Sequence, residues 1–159
     1  MKILAKALIF SLVTSTICLS QDIDFKNYKG VNVVIPNISN MLKMVDMPTP
    51  VWEEQVKNAG YPTRQLKNGA IEFMYMSSLS NPYGMLSISK GPRQITIAAM
   101  HSKIPSSTYL DDLYNELEKY YVREENNSQV YGFKKDGFNY KFNISRNDNI
   151  EIVVLTKQY

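Results

Sequence analysis

The chain has 159 residues, with 18 basic and 15 acidic side chains, 11 tyrosines, one histidine and one cysteine. This length suits a single domain with its own hydrophobic core. The charges are close to balance, which gives no reason to expect nucleic acid or an anionic membrane surface as a partner.

The first twenty residues have the pattern of a secretory signal peptide. Lys2 and Lys6 precede a nearly uncharged apolar run over 8–19, and Ser20 supplies a small residue just before the first acidic one. The run is too short and too rich in Ser and Thr for a membrane span. We therefore expect cleavage after Ser20 and a mature protein that is exported, to the periplasm or the medium, with no integral membrane span.

The single cysteine lies inside this segment. Cys18 would be removed with it, so the mature chain would contain no thiol, disulfide or thiolate metal ligand. The alternative is a lipoprotein acylated at Cys18, but such sites place a small residue before the cysteine and Ile17 stands there. An exported domain without disulfides depends on its core alone, which is more typical of bacteria than of small eukaryotic secreted modules.

Residues 21–48 predict a lead-in of one strand and one short helix. β-branched residues over 31–35 indicate the strand. Apolar residues at helical spacing over 38–45 indicate the helix, with Asn37 or Ser39 as its N-cap. A single domain over 49–159 is expected to follow.

The first half of that domain, 49–102, predicts one helix and three strands. Thr49 suits the N-cap, Pro50 suits the first helical position, and Gly60 suits the end of the helix. Strands are expected near 70–77, 84–90 and 94–101.

The second half, 105–159, repeats this order. An apolar stripe from Leu110 to Tyr121 predicts the helix, and strands are expected near 129–135, 137–145 and 149–156. The hairpin 88–100 aligns with 144–155 if the two turns differ by one residue. Any two amphipathic hairpins share such a pattern, but the common order of elements favours an internal repeat.

The predicted fold class is α+β: a tandem αβββ repeat that forms an antiparallel sheet of about six strands with helices packed on one face. The core side of the sheet is predicted to include Phe138, Tyr140, Phe142, Ile144, Ile150, Ile152 and Val154. The layout resembles that of β-lactamase inhibitor protein and other tandem helix-on-sheet folds. Because no motif is shared, the resemblance implies an architecture and no function.

The sequence offers little for catalysis or metal binding. His101 could act as a general base, but no acidic residue stands near it in the sequence, and a surface histidine at a strand end is the simpler interpretation. With one histidine and no cysteine a zinc site is not expected, and 147–151 lacks the length and the glycine of a calcium loop. We expect a non-enzymatic protein with no metal and no cofactor.

Several residues are candidates for binding another protein. Tyrosines in predicted loops, such as Tyr61, Tyr83 and Tyr109, can anchor a partner, although an AT-rich genome would also explain the number of tyrosines. Met74 and Met76 form an adaptable patch if they face outward and fill the core if they face inward, and their strand is apolar on both sides. The candidate binding residues are Met74, Met76, Tyr83, Asn139, Lys141 and Asn143.

The sequence is compatible with three functions. The first is an exported inhibitor-like or immunity-like module that binds another protein through an open sheet face and loops that carry tyrosines. The second is a structural or assembly factor of the cell envelope. The third is a small hydrolase that uses His101.

Overall fold

A computed structural model of the protein describes residues 22–28, 31–61, 63–65, 71–76, 83–101, 110–147 and 150–159. The helices in these ranges are α1 (Ile38–Asp46), α2 (Thr49–Asn58) and α3 (Asp111–Leu117), with a 3-10 turn at Glu118–Tyr120. The strands are β1 (Phe25–Tyr28), β2 (Val31–Val34), β3 (Thr63–Gln65), β4 (Ile71–Met76), β5 (Tyr83–Gly91), β6 (Gln94–His101), β7 (Tyr121–Glu125), β8 (Ser128–Lys135), β9 (Phe138–Asn147) and β10 (Ile150–Gln158).

Eight of these strands form one antiparallel sheet, in the order β3-β4-β5-β6-β10-β9-β8-β7, and β1 pairs with β2 alone. All six strands predicted within 49–159 belong to the large sheet, so the α+β class with an antiparallel sheet is confirmed. The expected number of strands is too low, because β3 and β7 extend the two edges. The centre of the sheet is the pairing of β6 with β10, the last strand of each half.

β7 occupies a segment for which the apolar stripe predicted helix. α3 ends at Leu117, and the chain passes through the 3-10 turn into a strand at Tyr121. The prediction of a helix as far as Tyr121 is therefore wrong. Aromatic and β-branched residues favour a strand at this point. Asn126 and Asn127, both at positive φ, form the tight turn to β8.

The β5–β6 and β9–β10 hairpins both have two-residue turns. Gly91 pairs with Gln94 before the first turn closes, and Asn147 pairs with Ile150 in the second hairpin. The expected one-residue difference between the turns is wrong, and the two hairpins correspond at a constant offset from their turns out to the pair Met85 and Met100, beyond which β5 and β6 shift register.

The core lies where the helices meet the sheet, since α1 contacts both β6 and β10. Alternate strand positions enter it, and on β9 these are Tyr140, Phe142 and Ile144, as predicted. The helices contribute Met41, Leu42, Met44, Val45, Trp52, Val56, Leu113 and Leu117.

The residues of β10 that face the core are the alternate set to the one predicted. Its buried residues are Glu151, Val153 and Leu155. The assignment of Ile150, Ile152 and Val154 to the core side is therefore wrong. A shift of one residue moves every side chain of a strand to the other face, so this error follows directly from the one-residue difference assumed for the turn.

α2 begins one residue earlier than predicted. Pro48 occupies the N-cap and Thr49 is already helical, so the assignment of Thr49 to the N-cap is wrong. Pro50 stays within the first turn, where a missing N–H removes no helical hydrogen bond. Gly60, at a φ of +94°, follows the helix end as predicted.

Buried Asn40 ties the N-terminal segment to α1. Its amide donates to the carbonyls of Asp24 at 2.9 Å and Ile35 at 2.8 Å, and its side-chain oxygen accepts from the Asp24 N–H at 2.9 Å. Asn37 caps α1, as predicted, by accepting from the Asn40 N–H at 2.7 Å. The lead-in and the first helix therefore form one hydrogen-bonded unit.

We expect Asn40→Leu to lower the free energy of unfolding by about 2 kcal/mol, because the Asp24 N–H loses the Asn40 side-chain oxygen and an unmet buried group costs on the order of 1–3 kcal/mol. The carbonyls of Asp24 and Ile35 each lose one donor and keep another, the N–H of Ile35 or of Asn37. Urea unfolding followed by the fluorescence of Trp52, the one tryptophan of the chain, measures the loss. Asn115→Leu, at an exposed position of α3, is the control. Equal effects of the two changes would contradict this role of Asn40.

A side chain from the sheet caps the C-terminal end of α1. The Lys90 ammonium, on β5, donates to the carbonyls of Met44 at 2.6 Å and Val45 at 3.0 Å. These carbonyls have no partner within the helix, and a positive charge also suits the negative end of the helix dipole. Burial lowers the pKa of Lys90 to about 8, against the raising effect of the Asp46 carboxylate.

Candidate functional site

The sheet has a second face, opposite the core, which we call the outer face. Its residues alternate with the core residues along each strand. They form rows across the sheet, as where Ala98 pairs with Ile152 and Ile152 with Ser145. The outer face includes Thr96, Ala98, Ser128, Val130, Gly132, Lys134, Asn139, Lys141, Asn143, Ser145, Ile152, Val154 and Thr156.

Three of the predicted binding residues lie on the outer face of β9. Asn139, Lys141 and Asn143 are all partly exposed and alternate with the buried residues of the strand. The Asn139 amide donates to the carbonyl of Tyr159 at 3.4 Å, so part of its hydrogen-bonding capacity is used within the chain. Lys141 is the longest of the three and carries the charge.

The other three predicted binding residues are placed only through their backbone, because their side chains lie outside the described part of the chain. Met74 pairs with Ser87, and Ser87 pairs with the outer-face residue Ala98. Met76 lies two residues further along β4, so the register gives both methionines the parity of the outer face. Tyr83 begins β5.

The loop tyrosines have different fates. The Tyr61 hydroxyl accepts from the Val34 N–H at 3.4 Å, and its ring centroid lies 6.1 Å from that of Phe25. Tyr61 therefore lies in a loop, as predicted, but its side chain is buried in the core and is not available to anchor a partner. Tyr109 lies outside the described residues. Tyr121 and Tyr159, which the sequence analysis did not single out, are each more than half exposed.

A groove of about 500 Å³ opens on the outer face between β7, β8 and β9. Gly132 is one of its lining residues and pairs with Lys141 across the strands. A β-carbon at Gly132 would lie 3.5 Å from Cγ2 of Val122, so a side chain longer than a methyl group would occupy the groove. A glycine inside a strand is a known sign of close approach by another group, and this signal in the sequence was missed.

The edge strand β7 forms one wall of the groove. All five of its residues are exposed, and Val122 retains 54% of its accessible surface. Tyr121 pairs with Tyr131 but Arg123 pairs with Val130, so Val122 is the extra residue of a β-bulge. Bulges redirect side chains, and here an apolar side chain comes to line the groove.

The groove carries more positive than negative charge. Its lining includes Arg123, Lys134 and Lys141. One carboxylate, Glu125, lies 3.1 Å from the Arg123 guanidinium and 3.9 Å from the Lys141 ammonium. Lys134 is exposed, and in the described part of the chain no carboxylate lies within 4.0 Å of its ammonium group.

Comparisons with other proteins give no relative: no protein-family model, curated protein or solved structure matches the chain. Within the described ranges no three His, Cys, Asp or Glu side chains cluster closely enough to hold a metal ion. The helices of those ranges are also too short or too polar to cross a membrane. The candidate site therefore rests on the geometry of the outer face.

Proposed function

We propose that the protein is an exported, non-enzymatic module that binds another protein through the outer face of its sheet, as an inhibitor or immunity protein does. The observation that carries this proposal is the groove on the outer face, whose lining includes Gly132, exposed Val122 and the two lysines Lys134 and Lys141. An apolar centre with a polar, charged rim is the usual composition of a protein–protein interface.

The proposal includes a duplicated architecture, with the helices on the core side of the sheet. Each half has a helix followed by four strands. At the constant offset between the hairpins, Ile97 corresponds to Val153, and these two residues pair with each other at the centre of the sheet. Lys90 likewise corresponds to Arg146. Lys90 contacts α1, in the lead-in, and Arg146 contacts α3, in its own half. Duplication explains why the outer face continues across the junction of the halves.

Export completes the proposal and depends on residues 1–20, which lie outside the described residues. Sequencing the N-terminus of the protein from its source tests cleavage after Ser20. The two alternative functions, an envelope assembly factor and a hydrolase using His101, gain no support from any described side chain, and the side chain of His101 is outside the description.

Affinity capture tests the binding function. Tagged mature protein is incubated with envelope and culture medium of the source cells, beside a variant that carries Asn139→Glu, Lys141→Glu and Asn143→Glu. We expect at least one stoichiometric partner protein, and its recovery should fall by about tenfold or more with the variant, because new carboxylates meet its binding surface.

The matched control carries the same chemical changes away from the outer face, as Lys57→Glu, Asn58→Glu and Asn115→Glu at exposed helix positions. Its partner recovery should equal that of the unchanged protein, and circular dichroism should show that both variants are folded. The proposed function fails if no partner is captured, or if the partner binds the outer-face variant and the unchanged protein equally.

A further inference from the structure

We propose that the groove over Gly132 receives an acidic, extended segment of the partner protein, with carboxylates at Lys134 and Lys141 and an apolar side chain seated over the glycine. This inference rests on the proposed function, since it specifies the chemistry of the partner that the outer face binds.

Charge complementarity favours an acidic occupant. Arg123, Lys134 and Lys141 line the groove, whereas Glu125 supplies the opposing charge. Glu125 is shared between Arg123 at 3.1 Å and Lys141 at 3.9 Å, so it does not neutralise Lys134. An incoming carboxylate gains attraction at Lys134 and Lys141, and a basic segment would be repelled by both.

The two lysines have the spacing of alternate side chains on an extended chain. Lys141 pairs with Gly132, and Lys134 lies two residues further along β8 on the same face. Such diagonal neighbours are about 7–8 Å apart. Side chains on one side of an extended segment repeat at roughly 7 Å. Two acidic residues separated by one residue therefore match the two lysines.

The apolar part of the groove provides a seat for a third side chain. Val122 is exposed, and Val130 is buried without belonging to the hydrophobic core cluster. Both line the groove, and Cγ2 of Val122 lies 3.5 Å from the position that a β-carbon of Gly132 would take. Apolar burial at the centre supplies affinity, and the flanking charges supply specificity.

Selection from a random-peptide phage library tests the inference, with the mature protein as the immobilised target. We expect the enriched peptides to carry acidic residues next to an apolar or aromatic residue. A variant with Lys134→Glu and Lys141→Glu should not enrich them. The matched control carries Lys135→Glu and Lys57→Glu, so its net charge changes by the same amount. Lys135 follows Lys134 on β8 and therefore has the opposite parity, outside the outer face. The control should enrich the same peptides.

A second variant tests the apolar seat separately from the charges. Gly132→Leu keeps both lysines, and it should weaken the binding of a selected, labelled peptide by about tenfold or more in fluorescence polarisation, because a leucine fills the groove. Thermal unfolding of each variant establishes that it is folded.

The inference is overturned if no peptide is enriched, if the enriched peptides are not acidic, or if the Lys134 and Lys141 variant enriches them equally. It is also overturned if a single-stranded DNA oligonucleotide, but no acidic peptide, binds through these lysines. Capture that still depends on the outer face would then leave the proposed function standing with a partner of different chemistry, whereas failure of capture removes the proposed function itself.

Discussion

Replacing Arg146 by Met is expected to lower the free energy of unfolding by about 2–3 kcal/mol, because the buried carboxylate of Glu151 loses a charged hydrogen-bond partner. Glu151 is only 2% exposed, and the Arg146 Nε donates to its Oε1 at 2.6 Å. The guanidinium also lies 4.8 Å from the ring centroid of Tyr114 and 3.4 Å from the Asp111 carboxylate. Arg146 therefore joins β9, β10 and α3, and urea unfolding with Trp52 fluorescence measures its contribution.

Two further variants identify the cause of the loss. Arg146→Met combined with Glu151→Leu should recover most of the stability, because the second change also removes the buried carboxylate that Arg146→Met leaves without its cationic partner. Arg123→Met removes an exposed ion pair with Glu125 and should cost less than about 1 kcal/mol. If Arg146→Met costs no more than Arg123→Met, the pair with Glu151 contributes little to the fold.

The free energy of unfolding is expected to rise with pH above pH 8 through Lys90. Burial lowers its pKa in the folded protein to about 8, from 10.5 in the unfolded chain. Below pH 8 both states are protonated, and the folded state bears the full cost of the buried charge. Between these two values only the unfolded chain holds the proton, so stability increases with pH. At about 1.4 kcal/mol per pH unit, the full gain is on the order of 3 kcal/mol.

The measurement is the difference in unfolding free energy between the unchanged protein and Lys90→Met, followed as the pH rises from 8 toward 10.5. The difference should grow in favour of the unchanged protein. Lys157→Met is the contrast. The hydrogen bond to Asp46 raises the pKa of Lys157, so the contribution of Lys157 to the unfolding free energy decreases only when the pH rises above its pKa in the unfolded chain. A difference for Lys90→Met that stays level across this range would contradict a lowered pKa of Lys90 in the folded protein.

In the unchanged protein, tyrosines also contribute to the pH dependence of the unfolding free energy at high pH. Burial raises the pKa of three of them, so each loses stability once the unfolded chain begins to release the phenolic proton. Both proteins of a compared pair share these groups, and the difference between them cancels the contribution. The three residues are Tyr114, Tyr131 and Tyr140.

β10 shows how far hydrophobic alternation predicts this fold. On β9 the pattern is unambiguous, and the core residues Tyr140, Phe142 and Ile144 follow from it. β10 has apolar residues on both sides, and its core side includes the charged Glu151, whose carboxylate accepts a hydrogen bond from Arg146. Since a lone carboxylate is costly to bury, the sequence alone favoured the opposite parity. Only the pairing between strands resolves it.

The edge strands were missed for a different reason. β3 has only three residues and β7 is exposed along its length, so neither has the alternation that marks a half-buried strand. Short, charged strands are also how proteins protect the edges of a sheet. The stripe that continues from α3 to Tyr121 then made helix the simpler prediction, although Asn126 and Asn127 are typical of a hairpin turn.

The candidate site was predicted in part. Alternation on β9 was enough to place Asn139, Lys141 and Asn143 on the outer face. The groove beside them depends on an absent side chain at Gly132 and on a bulge at Val122, and neither produces a periodic pattern. The bulge arises from the pairing of β7 with β8, which no single segment of the sequence specifies.

The position of β10 constrains the order in which the protein folds. Each set of four consecutive strands contains only pairings between neighbours in sequence, which close quickly because the loops are short. The seam between β6 and β10 joins residues that are far apart in the sequence, and β10 is the last described strand to be synthesised. Before it arrives, β6 has an unpaired edge in the middle of the future sheet, and edges of that kind invite pairing with other chains. On the ribosome, this risk of pairing with other chains lasts until the residues of β10 emerge.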